Sequence, residues 1–302
     1  MKFRAAVAIL AASALLTSCS SGSQPSQPKD TLDKGKGVAV DSPKVTLIDA
    51  GHAPLFKLEY HDTSSGNQSV KATVTTDFNQ IVGKPGISAM PEPGTGQSTD
   101  MQLTGSTKQA PAPQQGQRDA TRSTEYRLDN GDATGFRAGW RGNNTGAMSS
   151  VAYSAPQGAT DQQRSDTEQR WNTLLSLPVV FPTQDIGQGG SWKIDSTAGS
   201  FLQTTTYTVS RIDGNSVTLD VAVQQRPALG ALSLDGTPGA DKLPNQELKV
   251  TSSQTFSRGS LTVDLQHALP TSGDVLYTTR VIYGDPSATS IVQDTTTGMK
   301  FS

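Results

Sequence analysis

Three histidines and the acidic residues beside them are the first candidates for chemistry in this 302-residue chain. His61 follows Glu59 by two positions and directly precedes Asp62. Alternation along a strand would place His61 and Glu59 on one face, where they could bind a metal ion or exchange protons. A second histidine at metal-ligand spacing is missing. We therefore favour the interpretation that these are exposed polar side chains at the end of a strand.

Other catalytic patterns are absent or lie in an unsuitable context. No Gly-x-Ser-x-Gly turn occurs, and the Ser-x-x-Lys pair Ser26 and Lys29 lies in a polar stretch with no helix to align it. The run Asp129–Asp132 has the composition of a calcium loop but not its closing glutamate, which favours a hairpin turn. We predict that the protein is not an enzyme and has no catalytic residue, metal site or cofactor.

Cys19 is the only cysteine in the chain, and the residues before it give it a chemical role. Lys2 and Arg4 precede an apolar run, residues 5–16, and small residues follow, as in a secretory signal. The run is shorter than the roughly 20 residues that span a bilayer. Its end, Leu-Thr-Ser-Cys, resembles a bacterial lipobox, whose cysteine is lipidated. We predict a lipoprotein signal peptide over residues 1–18 and lipidation of Cys19; the alternative is an ordinary signal peptide with an incidental cysteine.

The lipobox resemblance implies a diacylglyceryl group, with palmitate-like chains, and an N-acyl chain on Cys19. More than one chain is needed for stable anchoring, and this modification meets that condition. The polar stretch that follows, residues 19–44, is typical of a flexible tether. We expect a protein held by Cys19 at the extracytoplasmic face of the cell membrane.

The composition limits both the fold and the partners. Only 33% of residues are hydrophobic, and 29 Gly and 17 Pro favour short strands with many turns. The formal charge is -2, and no run of basic and aromatic residues is present, so nucleic acid is not an expected partner. A single cysteine allows no disulfide within the chain.

Alternating apolar and polar residues predict strands, and one segment predicts a helix. Residues 70–78 alternate clearly, and residues 204–212 and 217–224 flank an Asp-Gly-Asn turn. Thr160 and Gln163 have capping-box spacing at the start of a helix that we place from Thr160 to Leu175. We predict an α+β, mainly β fold in which curved antiparallel sheet in two similar halves packs on this one main helix.

We divide the chain into the tether and one β-rich globular domain, residues 45–302. Its halves are residues 45–155 and 156–302, since each contains an opening strand, a long Thr-rich strand and a later hairpin. Five prolines and many Gly and Gln predict a mobile loop or an insert over residues 84–122, in which only residues 101–104 are a plausible strand. Residues 290–297 are expected to form a final edge strand.

Five short motifs occur through the second half: Leu177–Pro182, Gly187-x-Gly189-x-Ser191-Trp192, Tyr207–Val209, Asp213-Gly214 and Gly259–Leu265. Together they resemble an uncharacterised group of actinobacterial secreted lipoproteins. The resemblance extends over roughly residues 157–283 and implies no reaction. A curved sheet wrapped on a helix is also similar, distantly, to the half-barrel of periplasmic lipid and lipoprotein carriers.

Large apolar side chains gather around the predicted helix and suggest a ligand site. We predict that they line an apolar cleft for a lipid-like ligand in a non-enzymatic binding protein. Alternatively, they fill a core, and the protein is an envelope scaffold that contacts another protein through residues 84–122. A third possibility, an envelope hydrolase, lacks a visible site. The predicted cleft residues are Trp171, Leu174, Leu175, Phe181 and Trp192.

Overall fold

The computed structural model describes residues 38–83, 86–113, 118–233, 247–285 and 290–302. Cys19, the predicted signal peptide and residues 19–37 of the predicted tether lie outside these ranges. The described elements are β1 (Val38–Ala39), β2 (Lys44–Asp49), β3 (His52–Phe56), β4 (Asn67–Gly83), β5 (Gln97–Gln109), β6 (Arg122–Leu128), a 3-10 turn (Gly131–Ala133), β7 (Arg137–Gly142), β8 (Met148–Ser154), α1 (Asp161–Leu175), β9 (Ile186–Gln188), β10 (Ser191–Ala198), β11 (Phe201–Asp213), β12 (Ser216–Pro227), β13 (Ala231–Ser233), β14 (Glu247–Asp264), β15 (Ser272–Gly284) and β16 (Ser290–Phe301).

Two meanders form one antiparallel sheet. Strands β4 to β8 pair in sequence order, and so do β10, β11, β12, β14, β15 and β16. The last strand, β16, pairs along its length with β4 and joins the meanders into a 14-stranded sheet that also includes β13. Strands β3 and β9 form a separate pair. The predicted α+β, mainly β class with curved antiparallel sheet and one main helix is confirmed.

The sheet curls until its two edges approach each other. Strand β1 pairs with β8 at one edge, and β2 pairs with β10 at the other. Five peptide steps connect Ala39 to Lys44, so the edges lie at most about 18 Å apart there. In a flat sheet, twelve spacings of about 4.8 Å would separate the same edges by roughly 58 Å. The short connection therefore requires a strongly curved sheet with a concave inner face.

The single helix of the described residues lies over the seam between the meanders. The amide of Gln163 donates to Thr160 Oγ1, and the Gln163 side chain accepts from the Thr160 amide, which confirms the predicted capping box. Its buried residues, Thr167, Trp171 and Leu174, recur at helical spacing and form one face. The helix contacts β4 and β16, the two strands that form the seam.

The core occupies only part of the concave face. Val70, Ala72 and Val74 of β4 are buried, and Met299 and Phe301 of β16 lie beside them on the same face. Further along, β4 exposes both faces, including the apolar side chains of Phe78 and Val82. The strands are thus longer than the core that covers them, and the concave face continues beyond it.

Three segments differ from their sequence-based description. The segment 84–122, expected to be a loop or an insert with one short strand at residues 101–104, contains the 13-residue strand β5, in which Met101 and Leu103 point inward between polar residues. The expected edge strand is the central strand β16, because β4 pairs with its free side. Val38 and Ala39 pair with β8 although they fall within the predicted tether.

Substitution in β16 should test the importance of the seam. We expect Met299→Ala to lower the free energy of unfolding by about 2–5 kcal/mol, because it leaves a hole between β4, β15 and α1. Lys300→Ala changes the exposed neighbour on the same strand and should stay within about 0.5 kcal/mol of the wild type. Urea unfolding followed by tryptophan fluorescence measures both. Equal losses would contradict a role of the seam in stability.

Candidate functional site

A cavity of about 930 Å³ opens on the concave face, between the two edges of the curved sheet. Its walls come from four parts of the chain: β1 with β8, the β10–β11 hairpin, the C-terminal half of α1, and the inner face of β12, β15 and β16. The apolar side chains that line it are Val38, Val40, Met148, Val151, Ala152, Tyr153, Leu175, Ala198, Phe201 and Tyr277.

Helix α1 separates this cavity from the core. Trp171 and Leu174 on one face are buried in the core, whereas Asn172 and Leu175 on the next face line the cavity. The helix ends at Leu175, and the backbone carbonyl of Ser176 accepts a hydrogen bond from Gln203 Nε2 on β11 at 3.1 Å. The helix end is thus fixed to the sheet, and its outer face forms a stable wall.

The walls of the cavity are uncharged. Its described lining contains no Asp, Glu, Lys, Arg or His. The Tyr153 hydroxyl donates to Asn172 Oδ1 at 2.6 Å, and burial raises the pKa of Tyr153 to about 12. This tyrosine consequently stays neutral at any physiological pH. The cavity therefore suits a ligand, or a part of one, that has no charge.

Buried amides and hydroxyls form a polar floor beneath the cavity. Gln225 Nε2 donates to Gln203 Oε1 at 2.8 Å, and Gln225 Oε1 accepts from the hydroxyl of Thr279 at 2.8 Å. Thr255 lies 3.1 Å from Thr279, hydroxyl to hydroxyl, and extends the chain of hydrogen bonds to β14. Because the network connects β11, β12, β14 and β15 and satisfies its members, it holds a rigid hydrogen-bonding surface at the bottom of the cavity.

Most of the predicted cleft residues lie in the core instead. Leu175 alone of the five is in the wall of the large cavity, and Leu174 with Leu175 borders a small hollow of about 50 Å³. Trp171, Phe181 and Trp192 are each at most 1% exposed. The ring centroids of Phe181 and Trp192 are 5.8 Å apart, and the indole of Trp192 donates to the Val180 carbonyl at 2.8 Å. The prediction of a cleft at Trp171, Leu174, Phe181 and Trp192 is corrected, because all four side chains are buried in the hydrophobic core.

Sequence reasoning missed the residues that do line the cavity. Phe201 begins β11, Tyr277 lies on the inner face of β15, and Tyr153 is in β8. Each lies on the inner face of a strand in which apolar and polar residues alternate, and this alternation can be recognised in the sequence. Their convergence, however, depends on the approach of the two sheet edges, which alternation does not indicate.

The acid beside His61 has a structural role. Asp62 is buried and accepts from Arg122 Nε at 2.7 Å and also from Arg122 Nη2, in a bidentate pair. The Arg122 guanidinium lies 4.3 Å from the centroid of the Tyr60 ring, and its Nη1 donates to the Asn143 carbonyl. The interaction attaches the segment before β4 to β6, so both charges are satisfied inside the protein.

His61 and Glu59 do not form a site with Asp62. His61 is exposed. Glu59 forms an ion pair with Lys57, in which Oε1 lies 2.8 Å from Nζ. Within the described ranges, no three His, Cys, Asp or Glu side chains come together as a metal-binding group. The structure therefore places these residues at the surface, apart from the cavity.

No protein-family model, curated protein or solved structure matches the chain. The resemblance to actinobacterial lipoproteins and to lipid carriers therefore stays a prediction. Within the described part of the chain, none of the helices has the length and apolar character needed to cross a membrane.

Removal of the buried carboxylate should destabilise the protein strongly. Asp62→Asn leaves the Arg122 charge buried without its counter-ion, and we expect a loss of about 3–5 kcal/mol in the free energy of unfolding. The partly exposed Lys57–Glu59 pair in the same segment supplies the control, since Glu59→Gln should cost less than about 1 kcal/mol. Chemical denaturation at neutral pH measures both variants. A loss for Asp62→Asn as small as that for Glu59→Gln would disprove the structural role.

Proposed function

We propose that the protein is a non-enzymatic, lipid-anchored binding protein of the cell envelope that holds a lipid-like ligand in the cavity on its concave face. The single observation that supports this proposal best is an uncharged cavity of about 930 Å³ beside a filled core. Ligand pockets commonly measure about 300–1,000 Å³ and are lined by apolar side chains with a few polar groups. The cavity has both properties.

The chemistry of the walls favours a particular class of ligand. Phe201, Leu175 and Met148 offer apolar contact surface, and each methylene buried there contributes about 0.8 kcal/mol. Gln225, Thr295 and Thr297 offer amides and hydroxyls on the opposite side. A neutral molecule with an acyl chain and a hydroxyl or ester end would satisfy both surfaces, whereas a charged group would be left without a counter-ion.

The position of the cavity agrees with a membrane anchor at Cys19. Val38, which lies at the rim of the cavity, follows Cys19 by 19 positions. A chain of that length reaches at most about 65 Å when fully extended. An anchor at Cys19 would thus keep the cavity within a short distance of the bilayer surface, where lipid-like ligands are found.

A second candidate, an envelope interaction module, is favoured by a different observation. Ile81, Val82 and Met90 are large apolar side chains that are exposed at the start of the segment 84–122 or just before it. Large apolar side chains left exposed along one segment are a feature of protein-binding surfaces. In this alternative the partner is an envelope protein and the cavity has no ligand.

A charge placed in the cavity wall should abolish ligand binding. We expect protein purified from its own membranes to carry a lipid that is visible by native mass spectrometry. In Phe201→Glu that lipid should be lost, and a neutral fluorescent monoacylglycerol should bind at least about tenfold more weakly, because a carboxylate would face the acyl chain.

Leu229→Glu is the control, since it also replaces a large apolar side chain by Glu, at an exposed residue outside the cavity wall. It should bind the probe as the wild type does. If no lipid accompanies the wild-type protein and the probe affinities of the three proteins agree, carriage is excluded and the interaction module is favoured.

The anchor has its own test. Cys19→Ser removes the acceptor of the acyl chains, so the protein should move from the membrane fraction to the soluble fraction. Mass spectrometry of the N-terminal peptide should show acyl chains on Cys19 in the wild type, and Ser20→Ala should behave like the wild type. Membrane retention of the Cys19→Ser protein would show that another feature holds it there.

A further inference from the structure

A depression of about 390 Å³ lies on the convex face of the first meander, on strands β5 to β8. The register of the sheet arranges its side chains in three rows across the strands. The middle row contains Ser106, Glu125 and Gly139, and because two of these residues are small, it forms a low floor. The flanking rows contain Lys108, Ser123 and Arg141 on one side, and Thr104, Arg127 and Arg137 on the other.

The depression concentrates positive charge in a chain whose formal net charge is -2. Its described lining has four cationic side chains, Lys108, Arg127, Arg137 and Arg141, and one carboxylate, Glu125. Both flanking rows contribute cations, so these surround the floor from two sides. Such a surface attracts anions by its summed field.

Two of the arginines are direct neighbours across the ladder. Arg127 on β6 pairs in register with Arg137 on β7, an arrangement that is unfavourable for like charges. Each has an acidic partner: Arg127 Nε lies 2.7 Å from Asp129, and Arg137 Nη1 lies 3.2 Å from Glu125. An anion between the two guanidinium groups would reduce their repulsion further.

Arg141 provides a buried and incompletely satisfied donor. The residue is 5% exposed, and its Nη2 donates to the Pro111 carbonyl at 2.6 Å. Its Nε is buried and has no hydrogen-bond partner within the described residues. Buried donors are nearly always paired, so an unpaired guanidinium nitrogen at the wall of a cationic depression points to a ligand that accepts hydrogen bonds.

We propose that this depression binds a phosphate group. A tetrahedral oxyanion accepts several hydrogen bonds at once, and guanidinium groups match it in charge and geometry. The hydroxyls of Ser106 and Ser123 supply further donors at the floor and rim. The volume leaves room for the part of the molecule to which the phosphate is attached. The source is either a free phosphate or the phosphodiester of a lipid headgroup, and the site lies on the face opposite the uncharged cavity.

Equilibrium dialysis of the full-length protein in neutral detergent tests the proposal with two probes. The first is inorganic phosphate, and the second is glycerophosphoglycerol, which is the headgroup of phosphatidylglycerol without its acyl chains. We expect saturable binding of at least one probe that weakens as salt is added. Preference for inorganic phosphate identifies a free phosphate as the ligand, and preference for the diester identifies a headgroup.

Two exposed cations of the depression serve as variants, since replacement of the buried Arg141 could prevent folding. Lys108→Gln and Arg127→Gln should each weaken binding about tenfold, which corresponds to about 1.4 kcal/mol. Lys193→Gln on β10 removes the same charge outside the depression and should bind as the wild type does. Absence of binding by both probes, or equal affinities in all four proteins, would overturn the proposal.

Discussion

The pairing of β16 with β4 is the interaction on which the rest of the structure depends. Each meander alone is a strip of sheet with an open apolar face, and their union at the seam produces a surface wide enough to curl. Helix α1 packs on this seam and fills the hollow with Trp171 and Leu174. Because the strands extend beyond the helix, the same curvature that closes the core leaves the cavity next to it.

Charge is distributed differently over the two faces of the sheet. On the concave side, the opposite charges of buried Asp62 and Arg122 neutralise each other, and the walls of the cavity beyond the core carry no charged side chain. On the convex side of the first meander, cations such as Arg127 and Arg137 lie next to one another. A single sheet thus offers an environment for apolar molecules on one face and an environment for anions on the other, and the backbone ladder separates them.

Sequence patterns predicted the elements better than their arrangement. The capping box at Thr160 and the alternation in β4 and β12 act over a few residues, so both the helix and these strands were predictable. Only residues 101–104 of β5 were predicted as a strand, because Ser, Thr and Gln occupy the solvent-facing side of the rest. The place of β16 at the centre, and of Phe201 at the cavity, follow from contacts between residues far apart in the chain. No local pattern contains that information, and for this reason four of the five predicted cleft residues proved to be core residues and only Leu175 lines the cavity.

The position of β16 also determines when the fold can be completed. Its residues insert between β4 and β15, which lie far apart in sequence. A topology with such distant contacts folds slowly. The entropy of closing the long loops is lost before the strand pairing contributes stabilising free energy. The first meander therefore keeps an unpaired β4 edge until β16 has been synthesised. Until then the open edge can pair with another chain, so the insertion of β16 also removes a site of aggregation.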